Sequence, residues 1–441
     1  MIQPQRGAAP TIRDRDQLYS LVISQLFYDG HQDLAVQLVA AVKLSSACPP
    51  SDRLQHVVRL GLQAEADQKG HQLLTGCGPQ ELYSLGPGLD LEFETESSLM
   101  VPEPAQYETI YVTSHKAQCR AGAFNADGTL IATGSVDASI KVLDVERMLV
   151  KSAAAPGEGA NDTIQQQMET HPVIRTLYDH IEEVTCLAFH PREQILVSGS
   201  RDYTIKIFDY SKPSAKRAHK TIQEAEHVHH VAFHPSGDYM LAAVNHPVVR
   251  LYDMNTSQCF VSSVPDDQHT AIVNMVSWAK NGHMFASCSA DGAIKVWDGV
   301  SNKCVCTFSA AHEGAEVCSV QFSRNGKYVL SSGKDSLVKL WELSMSRCLI
   351  AYTGAGATGK QDYCSQTVFN HTEDYILFPD EKTLSLCSWD SRNAERQQLL
   401  SLGHNSTVRY FCHSPTKPAF LTCSDDYRAR YWFRRTDITN K

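Results

Sequence analysis

Short stretches of alternating apolar and polar residues follow one another from about residue 107 to residue 435, whereas residues 14–66 carry apolar side chains at helical spacing. Period two predicts half-buried strands, and a period near 3.6 predicts amphipathic helices. The strand pattern is clearest in Phe285-Ala-Ser-Cys-Ser-Ala-Asp-Gly-Ala-Ile-Lys-Val-Trp-Asp298. Ser287 and Ser289 alternate with small apolar residues, Asp291-Gly292 supplies a turn, and Ile294, Val296 and Trp297 begin the returning strand. With His269 upstream, these residue types predict one hydrogen-bond chain. The Asp291 carboxylate accepts from turn N–H groups and from His269, and Ser287 joins His269 to the indole of Trp297. Leaving one such buried group unpaired costs about 1–3 kcal/mol, so the chain should lock the unit.

The pattern recurs. Its strand-ending dipeptide stands at Leu143-Asp144, Phe208-Asp209, Tyr252-Asp253, Trp297-Asp298, Trp341-Glu342, Trp389-Asp390 and Trp432-Phe433, about 44 residues apart except for a first interval of about 65. An upstream histidine stands at His115, His180, His269, His312 and His404, and a turn aspartate at Asp137, Asp202, Asp291, Asp335 and Asp426. This phasing resembles the WD40 family, and the resemblance implies an all-β seven-bladed propeller over residues 107–435 with a tail at 436–441. The fully formed networks are then His269, Ser287, Asp291 and Trp297, with the equivalents His312, Asp335 and Trp341, and His404, Asp426 and Trp432. Units three and six depart: Glu224 and His246 replace the His and Asp in one, Gln361 and Thr383 in the other, and both should be looser. In such propellers the first strand, here Tyr107 to Thr113, completes the last blade beside Trp432.

Residues 1–70 read as a small helical dimerisation domain. Leu18, Leu21, Val22 and Leu26 share one face of a first helix that starts near Asp14 and Asp16 and stops at Gly30. Leu34, Leu38 and Val42 mark a second helix, and Ser51 caps a third carrying Leu54, Val57, Val58 and Leu62. Three short helices sit at the margin of independent stability, and pairing with a second copy is a common remedy. The expected seam is Leu18, Leu21, Val22, Leu26, Leu34 and Leu38; the competing expectation is that this face packs on the propeller. The Leu-x-x-Leu-Val to Leu-Ala pattern is similar to LisH-type dimerisation motifs. Residues 71–106, with Gly86-Pro87-Gly88 and the acidic Asp90-Leu-Glu-Phe-Glu-Thr-Glu96, read as a linker. The long first interval holds an insertion at about 148–169, rich in Ala, Gly and Gln, expected as a mobile loop.

The chain has 441 residues, 42% of them apolar, enough for a large core, and a formal charge of −9 that argues against binding nucleic acid with its whole surface. A local basic face stays open. No apolar run approaches 18 residues, so no membrane partner is expected. The 14 cysteines are scattered through strands without a C-x-x-C pair, which reads as free buried thiols in a reducing compartment and not as zinc ligands.

Three constellations invite a chemical reading. Gly354-Ala-Gly-Ala-Thr-Gly-Lys360 has the phosphate-loop spacing, but Gln361 lacks the hydroxyl that would hold magnesium and no helix follows. The His, Ser and Asp of each unit imitate a catalytic triad, yet they repeat and their hydroxyl is buried against Trp, so they read as structural. His227, His229 and His230 could gather a metal, although alternation turns two of them to opposite faces; strand-surface histidines are the reading adopted. No catalytic residue, metal site or cofactor is therefore expected, and function should lie in surfaces.

A narrower resemblance rests on Arg15-Asp-Gln-Leu-Tyr-Ser-Leu-Val-Ile-Ser-Gln-Leu-Phe-Tyr-Asp-Gly30, Gly88-Leu-Asp-Leu-Glu-Phe93, His171-Pro-Val-Ile-Arg-Thr-Leu-Tyr-Asp-His180 and Ser200-Arg-Asp-Tyr-Thr-Ile-Lys-Ile-Phe-Asp209. These stretches look like the family of WD-repeat subunits (subunit 1) of the cleavage stimulation factor. The resemblance implies a nuclear, non-catalytic scaffold in pre-mRNA 3′-end cleavage and polyadenylation that dimerises through its N-terminus. It implies as partners the scaffold and RNA-binding subunits of that factor, the RNA polymerase II C-terminal domain, and pre-mRNA mainly through the complex. Trp389-Asp390-Ser391-Arg392 supports an alternative, since W-D-x-R marks substrate receptors of cullin-RING ubiquitin ligases whose arginine faces the adaptor.

The repeat phasing also places Arg120, Arg201, Lys334 and Arg409 on one rim, with Asp425 the acidic member and Glu183 and Glu316 nearby. These cations either receive an acidic or phosphorylated partner segment, with RNA phosphate a second ligand, or pair with those carboxylates.

Overall fold

The computed structural model describes residues 12–42, 51, 54, 88–91, 106–153, 171–212, 216–355 and 359–434. The chain forms two compact units, Met1–Thr75 and Gly76–Lys441.

In the first unit, α1 (Ile12–Tyr28) and α2 (Gln32–Val42) are joined by Gly30, which takes φ +86° while the His31 N–H turns back to Leu26 O at 2.9 Å. A left-handed glycine at that position satisfies a carbonyl the helix end would otherwise orphan. Ile23 on α1 and Ala35 on α2 are fully buried. Leu21, Val22, Leu26 and Leu38 are half-buried and Leu34 is exposed. Ser51 N donates to Ser24 O at 3.1 Å, and Leu54 is helical; the side chain of Leu18 and the remainder of the third expected helix, Val57, Val58 and Leu62, lie outside the described residues.

The second unit is a seven-bladed propeller of four-stranded antiparallel sheets, each built from consecutive strands except the last. Blade one comprises Cys119–Phe124, Leu130–Ser135, Ser139–Asp144 and Val173–Tyr178; blade four comprises Val273–Trp278, Met284–Ser289, Ile294–Asp298 and Cys304–Phe308. Blade seven takes three strands from the C-terminus and its outer strand, Glu108–Ser114, from the start of the propeller, with Thr109 opposite Trp432. Joining the ends in one sheet closes the ring and removes the two edges an open array would expose.

First strands of neighbouring blades pack side by side around the central channel, and the apolar clusters fill the wedges between blades. One wedge holds Ala286, Ile294, Val296, Val317, Val320, Val329 and Trp341 from blades four and five. A glycine is needed at one close approach between blades two and three: a Cβ on Gly199 would lie 2.5 Å from Val228 Cγ1. In six blades the first strand carries a one-residue bulge near its start, as between Val273 and Met275. The bulge sharpens the local twist where each sheet enters the channel wall.

Two expectations are corrected. Residues 148–153 of the expected mobile insertion belong to a helix, α3 (Val145–Ala153), which starts directly after blade one's third strand. Asp144 accepts the Arg147 N–H at 3.2 Å, and Val145 and Met148 are buried among Leu143, Tyr111 and Tyr431, so an apolar helical face was present beneath the Ala and Gln bias. The remainder of the insertion lies outside the described residues. Within the expected linker, Gly88–Leu91 is seated on the propeller, with Leu89 1% exposed. The tetrapeptide has an apolar side chain at Leu89 and main-chain groups for which the blades supply partners.

Candidate functional site

Three blades contain the full network. His269 lies 3.0 Å from Asp291 through Nδ1 and 2.7 Å from Ser287 Oγ through Nε2, and Trp297 Nε1 donates to Ser287 Oγ at 2.8 Å. With its proton on Nδ1 the imidazole donates to the carboxylate and accepts from the hydroxyl, which accepts from the indole, so every polar atom is satisfied. Blade five repeats this with His312, Asp335, Ser331 and Trp341. Blade seven uses His404, Asp426, Thr422 and Trp432. Ser331 and Thr422 were not singled out from sequence, although each precedes its tryptophan by the same number of residues as Ser287 precedes Trp297.

The carboxylates hold the turns as well. Asp291 Oδ1 accepts the Ala293 N–H at 2.9 Å, across Gly292 at φ +78°. Burial acts to raise the Asp291 pKa, but hydrogen bonds from His269 and the Thr270 and Ala293 N–H groups outweigh it and hold the carboxyl well below the usual range. Asp202 is depressed in the same way by His180 and Thr204. Ser287 is fully buried, so its hydroxyl serves the blade.

The two irregular blades carry substitute pairs where the His and Asp are missing, and their strands are short: Cys259–Phe260 in blade three, and Val368–Phe369 and Leu400–Ser401 in blade six, have two residues each. In blade three the Glu224 carboxylate, inaccessible to solvent, accepts from the Arg250 guanidinium and the Tyr252 hydroxyl. In blade six the Trp389 indole donates to Thr353 O at 2.9 Å, and Asp380 accepts from Thr383 Oγ1 at 2.5 Å, in place of the absent His and Asp. Glu224 and Tyr252 stand at the repeat's histidine and tryptophan positions, whereas Thr353 and Asp380 lie outside the positions the repeat reserves, so spacing did not find their pairs.

On the rim formed by the histidine loops and aspartate turns, Arg120 Nε lies 2.9 Å from Asp425 and its Nη1 3.0 Å from Glu183. Arg201 reaches Glu183 at 3.2 Å, and Arg409 reaches Asp425 at 3.6 Å while its guanidinium sits 3.8 Å from the centre of the Tyr363 ring. The order Arg201, Glu183, Arg120, Asp425, Arg409 runs across blades two, one and seven. Three cations against two carboxylates leave an excess of one positive charge in this chain of ion pairs. Lys334 stands apart, 2.5 Å from Glu316, which also accepts from Asn274 at 3.0 Å. The four expected cations therefore do not form an unpaired basic cluster. Arg201 is the most open of the three arginines, its side chain 54% exposed. Beside Tyr363, the exposed Tyr203 and Tyr427 follow Arg201 and Asp425 in their turns, and Tyr203 stacks on His227 at 4.8 Å.

The remaining candidates are accounted for locally. His227 contacts Arg201 O at 2.8 Å and His229 faces Asn245 at 3.4 Å, but His230 is buried in the core and not on the strand surface, which lowers its pKa to about 4. No group of residues capable of holding a metal occurs among the described residues. The described cysteines form no disulfide; Cys119, Cys186, Cys288, Cys318, Cys387 and Cys423 are buried, whereas Cys259 and Cys348 are exposed. No described helix is long and apolar enough to cross a membrane. Part of the glycine-rich stretch 354–360 lies outside the described residues. The guanidinium of Arg392, half-buried, donates to Asp90 O at 2.7 Å.

Residues 10–66 match the family model described as cleavage stimulation factor subunit 1, dimerisation domain. The model for the WD domain, G-beta repeat, matches residues 107–144, 172–209, 261–298, 302–342 and 396–432. The chain is 36% identical over 433 residues to cleavage stimulation factor subunit 50 of Arabidopsis thaliana, covering 94% of this chain and 95% of that protein. Partial likenesses extend to WD repeat and HMG-box DNA-binding protein 1 of Xenopus laevis, 28% identical over 41% of this chain and 15% of that protein. A second is to pre-mRNA-processing factor 19 homolog 2 of Arabidopsis thaliana, 27% identical over 42% of this chain and 31% of that protein.

Proposed function

The chain belongs to the cleavage stimulation factor subunit 1 family, and from that premise we propose that it is the non-catalytic scaffold subunit of this factor in pre-mRNA 3′-end cleavage and polyadenylation. The observation that carries the reading is the likeness to subunit 50 along nearly the whole length of both proteins, joined to an N-terminal match to the dimerisation domain. In this reading the protein works in the nucleus as a homodimer and holds the scaffold subunit with its propeller. The RNA-binding subunit, the RNA polymerase II C-terminal domain and pre-mRNA are engaged through the assembled complex. The ligase reading is not favoured: the likeness is to the cleavage stimulation factor subunit, and Arg392 already donates to the Asp90 carbonyl.

The rim of Arg201, Arg120 and Arg409 is the surface proposed for an acidic or phosphorylated segment of a partner. It is supported by the excess of positive charge, the exposure of Arg201 and the neighbouring tyrosines. Lys334, paired with Glu316, adds a fourth cation to the same rim, apart from the other three. The test is affinity purification from nuclear extract with wild-type protein and with Arg201→Glu combined with Arg409→Glu. Wild type should bring down polyadenylation factors and the folded double mutant should lose one or more of them. Recovery of an adaptor and a cullin with no polyadenylation factor would overturn the function, and full recovery by the double mutant would overturn the rim.

A further inference from the structure

Gly88–Leu91 lies against blades five and six without joining either sheet. Its main chain is captured by side chains distant in sequence. Leu89 N donates to Glu373 Oε2 at 2.9 Å, and Asn325 Nδ2 donates to Leu89 O at 2.6 Å. Arg392 Nη1 donates to Asp90 O at 2.7 Å, and Leu91 N donates to Tyr328 Oη at 3.2 Å. Lys327 Nζ adds an ion pair to the Asp90 carboxylate at 3.0 Å. Leu89 joins the apolar cluster of Tyr328, Leu330, Ile376 and Trp389, and Leu91 packs at its edge. At Gly88 the backbone has φ +84°, and a Cβ would lie 2.6 Å from Glu373 Oε2, so only glycine fits.

A strand added to a sheet is held by a ladder of backbone partners; here side chains read the backbone and an apolar slot takes one residue, as in a bound peptide. We propose that blades five and six form a peptide-docking groove for a glycine-apolar-acidic-apolar segment, and that Gly88-Leu89-Asp90-Leu91 is its ligand, carried in cis as a latch. Glycine permits the close approach to Glu373, leucine fills the slot, aspartate answers Lys327, and the second leucine covers the edge. The Glu373 carboxylate is itself positioned from the propeller side, since Oε1 accepts the Arg324 N–H at 2.6 Å. A cis ligand enjoys a millimolar-range effective concentration and excludes a free peptide of the same sequence until it is unseated.

The experiment uses the full chain and a fluorescent peptide of residues 86–93, read by anisotropy. Leu89→Asp places a charge in the apolar slot and should release the latch, so the variant binds the peptide at least about tenfold more tightly than wild type does. Should Leu89→Asp lower the melting temperature of the propeller, Gly88→Val unseats the same segment without introducing a charge and replaces it. Adding Lys327→Glu to the released variant should weaken the peptide about tenfold, and a peptide carrying Asp90→Lys should recover it. Failure of a folded, released variant to bind the peptide, equal binding by wild type and released protein, or absence of recovery by the charge-swapped peptide would each overturn the proposal.

Discussion

Trp297 and Ser287 are joined by a 2.8 Å hydrogen bond from indole to hydroxyl, in the interior of blade four where both side chains are closed to solvent. The bond ties the third strand of the blade to the second and, through His269 and Asp291, to the loop and turn of the rim. Asp291→Ala removes the acceptor for His269 and for the N–H groups of Thr270 and Ala293. It should cost about 3 kcal/mol, whereas His246→Ala, at an exposed turn of blade three, should cost less than about 1. Thermal melts of the two variants measure the ranking, and equal melting temperatures would refute it.

Glu224 gives blade three its own closure. Glu224→Ala leaves the Arg250 guanidinium and the Tyr252 hydroxyl without their shared acceptor and should destabilise by about 2–4 kcal/mol. Glu224→His, which restores the residue common in other blades, should not rescue it, because the turn holds His246 in place of aspartate. Urea unfolding of both variants is the measurement.

Leu34 is 56% exposed, and Val36 and Tyr28 are comparably open on the same two-helix unit. Leu34→Asp therefore should not burden the helices of one protomer. It should dissociate the homodimer by setting a charge in an apolar seam, as should Leu21→Asp and Leu26→Asp. Sedimentation equilibrium of the full chain should show a monomer at concentrations where wild type is dimeric, with unchanged helical circular dichroism for Leu34→Asp.

His371 and His413 stack in parallel with ring centres 5.6 Å apart. Burial, then the Arg324 charge, lowers His371 to about 4; burial, then the neighbouring His371, lowers His413 to about 3. Above the unfolded histidine value of about 6.5 the pair is neutral in both states. As pH falls below it the unfolded chain takes up protons that the folded chain refuses, so stability declines from about pH 6.5 down to the folded values. Each histidine contributes a slope of about 1.4 kcal/mol per pH unit. The aspartates depressed by their histidine partners add a second loss, which begins below about pH 4, the unfolded value, and continues down through their folded values. Replacing His413 with Phe should flatten the upper part of the curve, which chemical unfolding at pH 7, 6 and 5 measures.

The propeller was legible because its architecture repeats: alternation gives the strands, Asp-Gly gives the turn, and a fixed spacing brings His269, Ser287, Asp291 and Trp297 onto one line of hydrogen bonds. These are local regularities, and a period of about 44 residues displays them several times over. Pairings across the repeat were not legible in the same way. Whether Arg120, Arg201 and Arg409 stand open or meet Glu183 and Asp425 depends on how neighbouring blades rotate their rims together. The helix at Val145–Ala153 depends on a patch of blades one and seven that can take Met148. The seat of Leu89 depends on Asn325, Tyr328, Glu373 and Arg392, residues brought together only when blades five and six pack side by side. Sequence determined which residues can bond within a blade, because covalent spacing sets those distances; the tertiary structure alone decided which residues of different blades meet, because that geometry exists only in the finished ring.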